Sequence, residues 1–107
     1  MSFRIEIKGL EELQKTLEEM QEGLTLPTLN RWCKKIESEA KISCPQEYRE
    51  SIQLTAVQVG TRKFDIEFKA SKGALSSVKQ AIRANLHLMP LTTKALFEVL
   101  LKKIEQQ

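Results

Sequence analysis

The sequence predicts an α+β domain, in which a small, mostly antiparallel sheet of about three strands packs with about four helices. Two patterns carry this prediction. Apolar and polar residues alternate in three short runs, which is the period of a half-buried strand. Apolar residues recur at spacings of three and four in four other runs, which is the period of a helix with one buried face. The whole chain, 1–107, is expected to form a single domain.

The first strand and the first helix are predicted at residues 3–8 and 10–22. Phe3, Ile5 and Ile7 alternate with charged residues, which is typical of a strand with one wet face. The apolar stripe of the helix consists of Leu10, Leu13, Leu17 and Met20. Its solvated face is expected to carry Glu11, Glu12, Glu18, Glu19 and Glu22.

The second helix is predicted at residues 27–43, because Pro27 fits a first helical turn and Pro45 ends the pattern. Its expected inward residues are Leu29, Trp32, Cys33, Ile36 and Ala40, with Ser43 as a further candidate. Cys33 and Cys44 are expected on this one helix, about 16 Å apart at ~1.5 Å per residue. That separation is too large for a disulfide, so buried thiols are predicted.

A hairpin is predicted at residues 51–59 and 64–70, after a polar link over 46–50. Phe64 and Phe68 are expected in the core, since they alternate with polar positions. The outer face of the same strand is expected to carry Asp65, Glu67 and Lys69. Nothing in the sequence protects the sheet edges, which predicts an edge strand that can pair with another subunit.

The last two helices are predicted at residues 74–87 and 91–105, with Thr92 or Thr93 as the cap of the second. The inward residues of the first are expected to be Leu75, Val78, Ile82 and Leu86. Those of the second are expected to be Leu91, Ala95, Leu96, Val99, Leu100 and Ile104.

Composition excludes several classes of protein. Apolar residues make up 41% and charged residues 29%, which is typical of neither a disordered nor a membrane-embedded chain. The first residues lack the apolar core of a signal peptide, so a cytoplasmic protein is expected, or a virion protein if the gene belongs to a phage. The net charge of +3 is uneven: residues 1–60 carry eight Lys and Arg against ten Asp and Glu, whereas residues 61–107 carry nine against four.

Catalytic residues are scarce. His87 is the single histidine, and the sequence contains no nucleophile elbow, no P-loop and no dinucleotide fingerprint. No histidine accompanies the cysteines or the glutamates at metal-ligand spacing. We therefore expect no catalytic site, no metal, no cofactor and no small-molecule substrate.

Two groups of residues are candidate contact sites. The positive C-terminal part supplies a possible nucleic-acid or anion patch, consisting of Arg62, Lys63, Lys69, Lys72, Lys79 and Arg83. Trp32 and Tyr48 are the two large amphipathic aromatics, and each is a possible interface anchor. Core packing is the alternative for Trp32.

The N-terminal half resembles phage tail-completion, or head–tail joining, proteins. The resemblance begins with Ile-Glu-Ile-Lys-Gly-Leu-Glu-Glu-Leu at residues 5–13 and continues with Ala40-Lys41, Pro45 and Arg49-Glu50-Ser51-Ile52. Late in the chain, Met89-Pro90-Leu91 is similar to the start of the family's terminal helix. The family's Asp-Thr-Gly loop has no counterpart here. This resemblance implies a non-enzymatic protein that works in rings at the virion neck.

Residues 51–100 are similar, more weakly, to the small dimerisation subunit of the KEOPS tRNA-modifying complex. The similarity rests on the hairpin and on Leu-Ser-Ser-Val-Lys-Gln-Ala-Ile at residues 75–82. It implies a dimer that bridges other subunits. Both resemblances predict a non-catalytic protein that forms homo-oligomers or binds protein partners. A small basic nucleic-acid-binding domain is the third hypothesis, and no membrane contact is expected.

Overall fold

The structure is a computed structural model that describes residues 4–7, 25–60 and 63–106. Of residues 4–7 and 63, it describes the backbone only. The helix that the sequence predicts at residues 10–22 lies outside this part of the chain.

The described residues contain both helices and an antiparallel sheet, which confirms the α+β class. The strands are β1 (Arg4–Ile7), β2 (Gln53–Gly60) and β3 (Lys63–Ser71). The α-helices are α1 (Leu26–Ser43), α2 (Gln46–Arg49), α3 (Leu75–Asn85) and α4 (Leu91–Glu105). Short 3-10 helices precede and follow α3, at Lys72–Ala74 and Leu86–Leu88.

Within the described residues the strands form one antiparallel sheet in the order β1-β3-β2. β2 and β3 form the predicted hairpin, with Leu54 opposite Phe68 and Ala56 opposite Ile66. The register shifts between Gln58 and Gly60, where a bulge bends the end of β2. β3 is therefore the central strand, and β2 lies at its side.

The first turn of α1 is stabilised by its own sequence. The Thr25 hydroxyl accepts a hydrogen bond from the Thr28 amide at 3.3 Å, and Pro27 lies in the first turn, where its missing amide costs little. The inward face predicted for this helix is buried at Leu29, Cys33, Ile36 and Ala40. Ser43 is exposed and Cys44 caps the helix, so the further inward candidate was wrong and only Cys33 lies within the helix.

Three other expectations about local structure were wrong. The predicted polar link contains the helical turn α2, because the Pro45 carbonyl accepts a hydrogen bond from the Tyr48 amide at 3.0 Å. Neither threonine caps α4, since Pro90 occupies the N-cap position without a side-chain hydrogen bond. Leu91 is 66% exposed, because it lies on the side of α4 opposite the buried Leu100.

The core lies between the sheet and the helices. α1 packs against β2 and α3, and α3 packs against α4. The inner face of the hairpin is buried at Leu54, Ala56, Phe64, Ile66, Phe68 and Ala70. Asp65 is only 7% exposed, although its strand position predicts a wet outer face, and its carboxylate accepts a hydrogen bond from the Ile66 amide at 2.8 Å.

Candidate functional site

Side chains of α1 cover part of the outer edge of β2. The Leu54 amide donates to Glu37 Oε1 at 3.0 Å, and the Ala56 amide donates to Asn30 Oδ1 at 3.3 Å. Lys34 Nζ donates to the Leu54 carbonyl at 3.0 Å. These three bonds take the place of a neighbouring strand, so the expected open edge is closed at residues 54–56.

Glu37 lies at the centre of the cover on β2, by which we mean the bonds from Asn30, Lys34 and Glu37 to the strand backbone. Its carboxylate oxygens lie 3.8 Å from Lys34 Nζ and 3.8 Å from Lys41 Nζ, and its side chain is 16% exposed. An open polar cleft of about 400 Å³ lies beside it, lined by Lys34, Glu37, Lys41, Glu50, Ile52, Gln53 and Thr55. The glutamate and the two lysines of the cleft bond to each other or to the strand backbone, which favours a structural role for them.

The solvent face of α1 is cationic. We call the exposed side between β2 and α3 the α1 ridge, which carries Arg31, Lys34, Lys35, Ser38, Lys41 and Ile42. The two acidic residues of the helix lie on its flanks. Glu37 faces β2, and Glu39 Oε2 accepts a hydrogen bond from Asn85 Nδ2 of α3. The sequence analysis missed this ridge, because spacing alone did not show that both acids are engaged by neighbouring elements.

Two large apolar side chains are exposed at the turn between α3 and α4. Leu88 is 55% exposed and Leu91 is 66% exposed, while Met89 between them is buried. Pro90 lies in this turn and fixes its backbone. We call this feature the Leu88–Leu91 corner.

The two predicted interface anchors are both half-buried and pack against the core. The Tyr48 ring lies directly on Gly73, where an added Cβ would come within 2.5 Å of Tyr48 Cε2. Lys35 Nζ lies 5.2 Å from the centroid of the Trp32 ring, which is within cation–π distance. These contacts give both aromatics a structural role within the chain.

The members of the predicted basic patch whose side chains the structure describes lie on different elements. Lys79 and Arg83 share the outer side of α3, and Arg83 pairs with Glu105 of α4. Lys69 lies on the outer face of the sheet, since it alternates with the buried Phe68.

The remaining members of the patch are Arg62, Lys63 and Lys72. Lys72 is exposed in the 3-10 helix before α3. The side chains of Arg62 and Lys63 lie outside the described residues.

The thiols and the histidine are poorly placed for chemistry. Burial raises the pKa of the Cys33 thiol to about 12, so the thiol is protonated at neutral pH and is a weak nucleophile. Cys44 is buried and free. His87 is exposed in the 3-10 helix that follows α3. Among the described residues, no group of three His, Cys, Asp or Glu side chains could hold a metal ion.

Comparison with known proteins identifies no relative. No protein-family model matches the chain, and no curated protein or solved structure matches it either. In the part of the chain that the structure describes, no helix has both the length and the apolar character needed to cross a membrane.

Proposed function

We propose that this chain is a non-catalytic assembly protein that associates with copies of itself through the Leu88–Leu91 corner. The exposure of these two leucines is the observation that carries the proposal. Large apolar side chains that lie close together on a surface are typical of protein interfaces. The turn that presents them contains a proline, so little conformational entropy is lost when they are covered.

The cover on β2 supports side-chain association over strand pairing at that edge. A second chain that added a strand at residues 54–56 would have to displace Glu37 and Asn30 from the strand backbone. A contact at the Leu88–Leu91 corner displaces no such bond. The contacts between α1 and β2 therefore favour an interface away from this edge, at the turn before α4.

The chemistry of the described side chains supports a non-catalytic role. Glu37, Lys34 and Lys41 in the open cleft bind one another or the β2 backbone. The Cys33 thiol is buried and its pKa is raised to about 12. His87 is exposed in the 3-10 helix after α3 and does not line this cleft.

The resemblance to head–tail joining proteins makes a phage-type assembly unit our first choice, acting in the cytoplasm or in a virion. It includes Met89, Pro90 and Leu91, which lie at the proposed contact. The alternative is a bridging subunit similar to that of KEOPS, which would form a stable dimer. A ring or other larger species favours the first function, and a dimer that is stable in high salt favours the second.

Light scattering on a sizing column tests the proposal across protein concentration and salt. We expect the wild type to self-associate and the double variant Leu88→Ser/Leu91→Ser to shift toward the monomer. Ile42→Ser is the matched control, since Ile42 is 79% exposed but lies on α1. Burial of a leucine side chain is worth ~1.5–3 kcal/mol, so loss of two partly exposed leucines should weaken association at least about tenfold. A wild type that is monomeric throughout would refute the proposal.

A further inference from the structure

The α1 ridge has more positive charge than its helix composition suggests. Arg31, Lys34, Lys35 and Lys41 all lie on it, and Glu37 pairs with Lys34 and Lys41 at its β2 side. Residues 31, 34, 35, 38 and 42 follow the spacing of one helix side. The ridge is therefore a continuous cationic strip on the solvent side of α1.

Contacts with neighbouring elements hold the two acids at the edges of this strip. Glu37 accepts the Leu54 amide of β2, and Glu39 accepts Asn85 Nδ2 of α3. Asn85 is itself 3% exposed and also donates to the Ala81 carbonyl at 2.8 Å, which fixes its orientation. Glu37 therefore offsets part of the positive charge on the β2 side of the strip, whereas Glu39 is bonded to α3.

The dimensions of the strip suit a phosphate backbone. Ten residues separate Arg31 from Lys41, which corresponds to about 15 Å at ~1.5 Å per residue. Each strand of duplex DNA carries one phosphate per ~3.4 Å of helix axis, so a strip of this length can meet several phosphates. Glu37 offsets part of the charge of Lys34 and Lys41, so Arg31 and Lys35 are the ridge cations outside these two ion pairs.

We infer that the α1 ridge binds the phosphate backbone of a nucleic acid without reading its bases. Charge complementarity carries this inference. The centre of the strip is charged, whereas the centre of a protein interface is usually apolar and depleted in lysine. The carboxylate of Glu50 lines the neighbouring cleft, so the backbone approaches from the side of Arg31 and Lys35.

This inference goes beyond the proposed self-association and does not depend on it. The ridge and the Leu88–Leu91 corner belong to different helices, and the two activities have different measurements. Nucleic-acid binding is read from a labelled oligonucleotide, and self-association is read from the mass of the protein alone.

Fluorescence anisotropy tests the inference with labelled single-stranded DNA, single-stranded RNA and duplex DNA, each of about 20 nucleotides or base pairs, between about 50 and 200 mM salt. We expect binding that weakens steeply with salt and varies little with base sequence. Arg31→Gln/Lys35→Gln should weaken binding about tenfold and reduce the salt slope by about two.

The matched control also removes two positive charges, but from the basic patch that the sequence analysis predicts. Lys79→Gln/Arg83→Gln should change the affinity by no more than about twofold, since α3 carries these residues on a different surface. Three results would overturn the inference. These are no binding to any of the three probes at low salt, a larger loss in the α3 variant than in the α1 variant, or a change of protein mass in the α1 variant without nucleic-acid binding. The last result would identify another copy of the chain as the partner of the ridge.

Discussion

Replacing Glu37 with alanine should destabilise the domain more than its partly solvated position suggests. The substitution removes the acceptor of the Leu54 amide, which lies 3.0 Å from Glu37 Oε1. It also removes the common partner of Lys34 and Lys41, each 3.8 Å away. The amide then depends on water at an edge that helix α1 still covers.

The magnitude follows from these contacts. A hydrogen bond to a charged group contributes ~1.5–3 kcal/mol, and each partly exposed ion pair adds at most ~0.5 kcal/mol. The lysine side chains are 49% and 32% exposed, so the ion pairs count for little after solvent screening. We therefore expect the free energy of unfolding to fall by about 2–3 kcal/mol. For a domain of this size the midpoint of thermal unfolding would fall by roughly 10–20 °C.

Urea denaturation followed by circular dichroism measures this loss, with thermal melting as the second readout. Glu37→Gln keeps an acceptor oxygen but no charge, so it should lose about half as much as Glu37→Ala. Glu98→Ala is the control, because Glu98 pairs with Lys94 at 3.9 Å on the exposed side of α4. A Glu37→Ala protein within about 0.5 kcal/mol of the wild type would show that the cover of β2 does not stabilise the fold.

Two further predictions concern packing and ionisation. Gly73→Ala should destabilise the domain by about 1–3 kcal/mol, because the new methyl group meets the Tyr48 ring at 2.5 Å. In a double-mutant cycle, Tyr48→Ala in the same chain should recover part of that loss. Simple additivity of the two losses would contradict the contact. The free energy of unfolding should also fall as pH rises from 9.0 toward about 12, because the folded protein keeps the Cys33 thiol protonated while the unfolded chain ionises it. The Cys33→Val variant should lack this component, and identical pH profiles for the two proteins would refute the assignment.

The periodicity of apolar residues predicted the helices and strands that bury one face against the core. The spacing of Leu29, Cys33 and Ile36 predicted the inward side of α1, and the alternation around Phe64 and Phe68 predicted β3. These patterns depend on neighbours within a few residues, so the sequence contains them directly.

The features that periodicity missed depend on distant partners. The bond from Leu54 to Glu37 joins residues 17 positions apart, and the bond from Ala56 to Asn30 joins residues 26 apart. The net charge of residues 1–60 is negative, which concealed the cationic ridge, since the sum also counts the five glutamates of residues 11–22. Helix α2 has only four residues and no apolar stripe to reveal it.

The cover on β2 also has a consequence for synthesis of the chain. A ribosome makes α1 before it makes β2, because residues 26–43 precede residues 53–60. A strand that emerges with bare amides can pair with other nascent chains and aggregate. Here Asn30, Lys34 and Glu37 have already left the ribosome when Leu54 and Ala56 follow. The order of translation thus makes the covering side chains available before the strand emerges from the ribosome.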